Sequence, residues 1–169
     1  MVRATVRLCC ILAILAGPAF AQPAGPADPV GARVRGATPQ MQKLIETGIR
    51  RSGTFAALVS TLNKTDVIVY VQETRDLPPG VDGQLAVTTG RSPQRYLRAQ
   101  VLSGLGTAEM IAVVAHELQH AIEVAEHNEV RDSHSLAALY QRIGIQARRG
   151  QYDTLEAQAT GWRVRVELE

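Results

Sequence analysis

Cysteine is nearly absent from this chain of 169 residues, which contains only Cys9 and Cys10. Both lie in the first 21 residues, a segment with the pattern of a cleaved signal peptide, so we expect a mature protein without cysteine. This absence excludes a disulfide scaffold and a metal site built on thiolates. Any metal ion would have to be bound by histidine and carboxylate side chains.

The chain also lacks an excess of charge of one sign. The first 21 residues contain two of the 18 lysines and arginines, so the remaining 148 residues have 16 basic and 16 acidic side chains. A net charge of zero does not favour a surface that binds polyanions, and we therefore expect neither nucleic acid nor anionic lipid as a partner. The 148 residues suffice for one domain that buries its own core.

A hydrophobic run of membrane-spanning length is missing at the amino terminus. The apolar run at residues 8–17 is about half of the roughly 20 residues that a transmembrane helix needs. It follows Arg3 and Arg7 and precedes Ala19-Phe20-Ala21, which is the order of features in a secretory signal peptide. We expect cleavage after Ala21, a secreted or periplasmic protein, and no stable membrane anchor.

Residues 22–39 contain four prolines and three glycines and almost no large apolar side chain. Such a composition buries too little apolar surface to offset the entropy of ordering the chain. We therefore predict a flexible leader over residues 22–39, followed by a single domain over residues 40–169.

The domain is predicted to be α+β, with amino-terminal helices, a small antiparallel meander of three strands, the long motif helix and further carboxy-terminal helices. Apolar spacing and capping residues predict helix starts at Pro39, at Thr54 after the cap Ser52, at Thr107, at Ser133 or Ser135, and at Asp153 or Thr154. The predicted strands are residues 66–72, 84–89 and 95–102, with a turn at 90–93. Arg95 and Arg98 fall on opposite faces of the third strand, which favours an edge position.

The motif His116-Glu117-Leu118-Gln119-His120 lies within the long predicted helix. Residues four apart share a helix face, so the two imidazoles can bind one metal ion while Glu117 leans toward its open side. Zinc bound in this way lowers the pKa of its water toward about 7, and Glu117 can take the proton. Two imidazoles in a largely apolar helix are costly unless they are ligated or hydrogen bonded. The motif therefore predicts a zinc site with hydrolytic chemistry.

At these residues the sequence resembles the zincin metallopeptidases, and the order of strands, motif helix and later helix resembles the gluzincin branch. The resemblance implies that His116 and His120 bind zinc, that Glu117 is the general base, and that the substrate is a peptide or protein. It also implies that an edge strand before the motif helix aligns the substrate by backbone pairing, and residues 95–102 would be that strand. Residues 95–126 are also similar to small exported bacterial proteins of undefined activity, which implies export but no substrate.

The third metal ligand is open between two acidic residues at the start of the last predicted helix. Glu156 has the longer reach and the residue type of the gluzincin branch, but it falls on the polar side of a helical wheel. Asp153 heads a stripe of small and apolar residues that can pack on another helix. Both residues also fit a capping box. We expect Glu123 to orient an imidazole or to contact solvent, because three turns of one helix span about 10 Å.

Other polar residues after the motif are less well defined by the sequence. His127 and His134 are expected in polar loops, and no spacing selects a residue that polarises the substrate carbonyl from the candidates Tyr140, Tyr152, Arg131 and His134. Tyr140 and Trp162 are predicted to be core residues.

The sequence is also compatible in part with two functions other than a metallopeptidase. The alternative is a non-catalytic metal-stabilised domain, or a degenerate peptidase, that binds a partner protein. Glu117 argues against this alternative, because a structural zinc site needs no base and has four protein ligands. A carboxylate-bridged di-iron bundle would require a second Glu-x-x-His, which the sequence lacks.

Overall fold

The computed structural model describes residues 32–88, 94–148 and 151–169. Within these ranges the chain is mixed α/β, with five helices and two sheets. The strands are β1 (Val34–Gly36), β2 (Val67–Thr74), β3 (Gly83–Thr88), β4 (Arg95–Leu102), β5 (Ile145–Arg148) and β6 (Gln151–Asp153). The helices are α1 (Pro39–Arg51), α2 (Gly53–Leu62), α3 (Thr107–Glu126), α4 (Ser133–Ile143) and α5 (Leu155–Leu168). Over the same ranges, no helix combines the length and the apolar character that crossing a membrane requires.

Side-chain caps explain where several helices begin. The Ser52 hydroxyl accepts a hydrogen bond from the Phe55 backbone N–H, which starts α2 as predicted. The cap of α4 is Asp132, whose carboxylate accepts from the Ser135 backbone N–H, so α4 begins next to one of the two predicted serines. Helix α3 begins at Thr107, after Gly106 as its N-cap.

The larger sheet is mixed: the antiparallel pairing of residues 84–89 with residues 95–102 is confirmed for β3 and β4, but the predicted antiparallel meander was wrong for β2, which pairs in parallel with β4. Its strand order is β1-β2-β4-β3, in which β1, β2 and β4 are parallel and β3 is antiparallel to β4. Val69 of β2 pairs with Val34 of β1 on one side and with Leu97 of β4 on the other. The lengths of the strands and the turn residues between them do not determine which strand pairs with which. The connection at residues 75–82 places β3 on the side of β4 that faces away from β2.

Strand β1 lies within the predicted flexible leader, so that prediction was wrong for residues 34–36. Val34 is buried, and β1 pairs with β2. Gly36 permits α1 to approach, because a Cβ at this position would lie 2.2 Å from the backbone nitrogen of Gln42. The predicted signal peptide, its cleavage site, residues 22–31 of the leader and the turn at 90–93 lie outside the described residues.

Strand β4 lies between β2 and β3, so the predicted edge position of residues 95–102 was also wrong. Arg98 is exposed, but Arg95 is buried. The Arg95 guanidinium pairs with the Asp66 carboxylate and donates to backbone carbonyls at the end of α3. A charged side chain with this many acceptors can be buried inside a sheet, so the arginine spacing did not indicate an edge.

Helix α3 lies at the centre of the domain, packed on strands of the larger sheet and contacted by α2 and α5. Helix α5 buries Ala157, Gly161 and Val164 toward this core, and Trp162 is 62% exposed. The prediction that Trp162 is a core residue was wrong. Helix α5 has apolar residues on two sides, and the side with the smaller residues allows the closer approach to α3.

Candidate metal centre

Helix α3 places His116 and His120 one turn apart with their rings edge to face. The two Nε2 atoms lie 3.1 Å apart, and the ring centroids are separated by 4.7 Å. Both side chains are fully buried. The spacing of four residues accounts for their common direction, and burial of this face of α3 keeps both rings away from bulk solvent.

A carboxylate reaches the two imidazoles from another part of the chain. Asp153 is the last residue of β6, in a β5–β6 hairpin that the sequence analysis did not predict. Its Oδ1 atom lies 3.2 Å from His116 Nε2 and 3.3 Å from His120 Nε2. In the part of the chain that the structure describes, these three residues are the one group of ligand-type side chains near enough together to share a metal ion. The cluster could therefore hold a metal ion.

Hydrogen bonds from the start of α5 orient the Asp153 carboxylate. The backbone N–H of Thr154 donates to Oδ1 at 2.7 Å, and Gln158 Nε2 donates to Oδ2 at 2.9 Å. Burial raises the pKa of Asp153, but the hydrogen bonds and charges of His116 and His120 outweigh burial and hold this pKa well below its usual range. Asp153 is therefore ionised at neutral pH and offers a charged oxygen to a cation.

Glu156, the other candidate for the third ligand, does not join the cluster. Thr154 caps α5 by accepting from the Ala157 backbone N–H, and Glu156 is exposed on the first turn of the helix. The structure therefore brings Asp153, and not Glu156, to the histidines. The capping box considered for Asp153 and Glu156 was wrong, because Thr154 is the cap.

The two remaining histidines also lie outside the cluster. His127 is half-buried at the carboxyl end of α3 and lies 3.2 Å from a Glu129 carboxylate oxygen. His134 is exposed on the first turn of α4, not in a loop. Neither is placed to act on a metal ion at the cluster.

Glu123 contacts an imidazole, which is one of the two expectations for this residue. Its Oε2 atom lies 2.8 Å from His120 Nδ1, and its Oε1 atom accepts a hydrogen bond from Thr154 Oγ1 at 2.6 Å. Burial raises the pKa of Glu123, but hydrogen bonds from His120, Thr154 and Tyr140, with the charge of His120, outweigh burial and lower it. The carboxylate is buried and does not extend into solvent.

Tyr140 is buried, as expected of a core residue, but its hydroxyl has a polar role that the sequence analysis missed. The oxygen lies 3.2 Å from Glu123 Oε2 and 3.2 Å from the His120 carbonyl oxygen, and the ring packs edge-on against His120. The residue type alone could have indicated this role, because the hydroxyl of a buried tyrosine is usually hydrogen bonded. Of the other carbonyl-polarising candidates, Arg131 and His134 are exposed.

The Glu117 carboxylate lies against β3, the last strand of the larger sheet on this side. Glu117 is 1% exposed. A Cβ added to Gly83 would lie 2.5 Å from Glu117 Oε1 and 2.7 Å from a methyl carbon of Val113. Glycine at position 83 therefore leaves the space that the Glu117 side chain occupies between the motif helix and the sheet edge.

Comparisons with known proteins give no relative from which a function could be transferred. No protein-family model, curated protein or solved structure matches this chain. The functional inference therefore depends on the chemistry of the cluster formed by His116, His120 and Asp153.

Proposed function

We propose that this protein is a zinc-dependent metallopeptidase in which His116, His120 and Asp153 bind zinc and Glu117 is the general base. The observation that carries the proposal is the triangle of donor atoms, with sides of 3.1, 3.2 and 3.3 Å. These three atoms come from two helical turns and a separate hairpin, so their convergence is a property of the tertiary structure.

The donor set supports zinc as the metal ion. Two imidazoles and one carboxylate favour zinc over magnesium or calcium, which prefer oxygen ligands. A tetrahedral zinc ion with ligand bonds of about 2.0 Å holds its donors about 3.3 Å apart, close to the separations in this triangle. Three protein ligands leave the fourth position to water or substrate, as in catalytic zinc sites.

Zinc bound at such a site supplies Lewis acidity toward water and a carbonyl oxygen. Glu117, one residue after His116 on the same helix, is proposed to take a proton from the attacking water and to donate it to the leaving amine. In this hydrolysis a bond forms between the water oxygen and the carbonyl carbon, the C–N bond breaks, and one acid and one amine are released. The Tyr140 hydroxyl lies within hydrogen-bond distance of Glu123 and the His120 carbonyl, so we do not assign it to carbonyl polarisation.

The edge strand that aligns a peptide would be β3 in place of residues 95–102. Strand β3 pairs with β4 on one side and ends the larger sheet on the other. Gly83 at its start borders Glu117, so the proposed base lies beside the strand to whose free edge an extended peptide would add. The proposed substrate is therefore a peptide segment in extended conformation.

The experiment that tests the proposal measures metal content and hydrolysis in the same samples. Purified protein should contain one equivalent of zinc, and His116→Ala should contain close to none. The unmodified protein should hydrolyse an unfolded protein substrate such as casein. Glu117→Gln should retain zinc and lose hydrolysis, and Glu126→Gln, changed at an exposed position of the same helix, should retain both. Absence of zinc from the unmodified protein would contradict the proposal.

A second function, the metal-stabilised domain that binds a partner protein, is favoured by one specific observation. His116, Glu117, His120 and Asp153 are each 0–1% exposed, and a centre closed to solvent suits a structural metal site. Under this function the protein still contains zinc, but neither the unmodified protein nor Glu117→Gln hydrolyses casein. Hydrolysis by the unmodified protein that Glu117→Gln abolishes would exclude it.

We also propose that the protein is exported, on the basis of residues 1–21. The expected mature form begins at Gln22. Mass measurement of the protein recovered outside the cytoplasm of a producing cell tests this proposal, and recovery of the uncut chain in the cytoplasm would contradict it.

A further inference from the structure

We propose that Glu123 is a positioning residue of the metal centre, which holds His120 and the segment carrying Asp153 in binding geometry. The proposal rests on the proposed function, because it concerns the same site. It assigns to this chain a carboxylate that does not itself contact the metal ion but acts through two of its ligands.

The contacts of Glu123 complete a closed ring of four residues. His120 Nδ1 lies 2.8 Å from Glu123 Oε2, and Thr154 Oγ1 lies 2.6 Å from Glu123 Oε1. The Thr154 backbone N–H donates to Asp153 Oδ1 at 2.7 Å, and Asp153 Oδ1 lies 3.3 Å from His120 Nε2. Glu123 and Thr154 therefore connect a ligand on α3 to a ligand at the end of β6, and the fourth contact of the ring, between His120 Nε2 and Asp153 Oδ1, lies at the metal position.

The chemistry of a carboxylate determines which histidine nitrogen is free to bind. An ionised carboxylate accepts hydrogen bonds but cannot donate them, so when His120 is neutral, as metal binding requires, the contact with Glu123 places its proton on Nδ1. The lone pair of Nε2 is then directed at the position shared with Asp153. This is the arrangement in which a carboxylate orients a metal-binding histidine and increases its basicity.

His116 provides the contrast within the same site. Its Nδ1 atom is buried and has no hydrogen-bond partner in the part of the chain that the structure describes. When His116 binds a metal ion through Nε2, packing alone orients its ring. The polar support is therefore concentrated on His120 and Asp153, and Glu123 contacts His120 through one oxygen and Thr154, the neighbour of Asp153, through the other.

The first experiment measures zinc affinity by competition with a chelator for the unmodified protein, Glu123→Gln and the control Glu126→Gln. Residues 123 and 126 lie on the same helix, but Glu126 is exposed and Glu123 is buried. Loss of a carboxylate partner of a metal-binding histidine weakens metal affinity by about 10–100-fold. We expect a weakening in this range for Glu123→Gln and none for Glu126→Gln.

A second measurement separates positioning from a general effect on stability. Co²⁺ binding to each variant is followed by its visible absorption, which reports the geometry of the bound ion. Thr154→Val removes the hydroxyl that donates to Glu123 and that caps α5 by accepting from the Ala157 backbone N–H, and Thr154→Ser retains both contacts. We expect an altered spectrum and about 10-fold weaker binding for Thr154→Val, and near-normal values for Thr154→Ser. These readouts still test the ring if Glu123→Gln does not fold.

The outcomes distinguish this proposal from the proposed function. Unchanged zinc affinity in Glu123→Gln, or in Thr154→Val, would overturn the positioning role and leave the zinc site intact. Absence of zinc binding in the unmodified protein would overturn the zinc site and this proposal together. The positioning role would be supported if Glu123→Gln and Thr154→Val bind zinc more weakly, while Glu126→Gln and Thr154→Ser bind it as the unmodified protein does.

Discussion

The Arg95 guanidinium and the Asp66 carboxylate form a two-point ion pair, with Nε to Oδ2 at 2.8 Å and Nη2 to Oδ1 at 2.6 Å. The same guanidinium donates to the carbonyl oxygens of Val124, Ala125 and His127, where α3 ends. Two of these carbonyls also accept a backbone N–H, Val124 from His127 and His127 from Val130, and a cation near the carboxyl end of a helix is favourable to the helix dipole. One side chain of β4 therefore anchors the carboxyl end of the helix that carries His116 and His120, the candidate metal ligands.

Replacing Arg95 should destabilise the fold. Arg95→Ala removes the buried guanidinium that pairs with Asp66 and donates to three carbonyls at the end of α3, and we expect a loss of roughly 2–4 kcal/mol in the free energy of unfolding. Urea titration measures this loss. Arg98→Ala, three residues further along β4 on the opposite, exposed face, is the control and should change stability by less than about 0.5 kcal/mol. Equal effects of the two changes would contradict the anchoring role of Arg95.

The same pair predicts a dependence of stability on pH. The hydrogen bonds from Arg95 lower the pKa of Asp66 from its ordinary value of 3.8. The folded state therefore binds the Asp66 proton less readily than the unfolded state, so the stabilisation is complete above about pH 4 and is lost as the pH falls through the folded-state pKa. The unmodified protein should lose more stability between pH 7 and pH 3 than Asp66→Asn does. Urea titrations at both pH values give this difference, and identical losses would exclude the effect.

Gly83 provides a test of the position of Glu117. A Cβ at residue 83 would overlap the Glu117 carboxylate and a methyl group of Val113, so Gly83→Ala must displace one of them. We expect at least about 10-fold slower hydrolysis with zinc content unchanged, because the proposed base moves while the proposed ligands stay in place. Gly53→Ala is the matched control, since a Cβ there meets no atom within 4 Å. Full activity of Gly83→Ala would argue that Glu117 is not the base.

The effect of metal removal on stability should show whether Asp153 or Glu156 is the third metal ligand. At a free zinc concentration of about 1,000 times the dissociation constant, binding to the folded state adds about 4 kcal/mol to the free energy of unfolding. Chelation should remove this increment from the unmodified protein and from Glu156→Gln. Asp153→Asn should show a smaller increment or none. The measurement is the urea midpoint with and without zinc, and an increment sensitive to Glu156→Gln but not to Asp153→Asn would reverse the assignment.

Local sequence signals predicted the helical part of the fold well, because capping and apolar spacing act over one or two turns. Ser52 begins α2 as predicted, and the motif histidines lie on one buried face of α3. The same kind of signal failed for the sheet, because strand patterns show which residues are buried but not which strands are neighbours. Trp162 shows a related failure: α5 has two apolar sides, and the sequence does not indicate which of them packs on α3.

The sequence by itself determined that His116 and His120 point in one direction, because the helical repeat brings residues four apart to the same face. It also limited any metal site to histidine and carboxylate ligands through the near absence of cysteine. Only the tertiary structure decided that Asp153 completes the cluster and that Glu123 supports it. Asp153 is 33 residues from His120 along the chain, and its approach depends on the β5–β6 hairpin and the packing of α5 on α3, which no local pattern encodes.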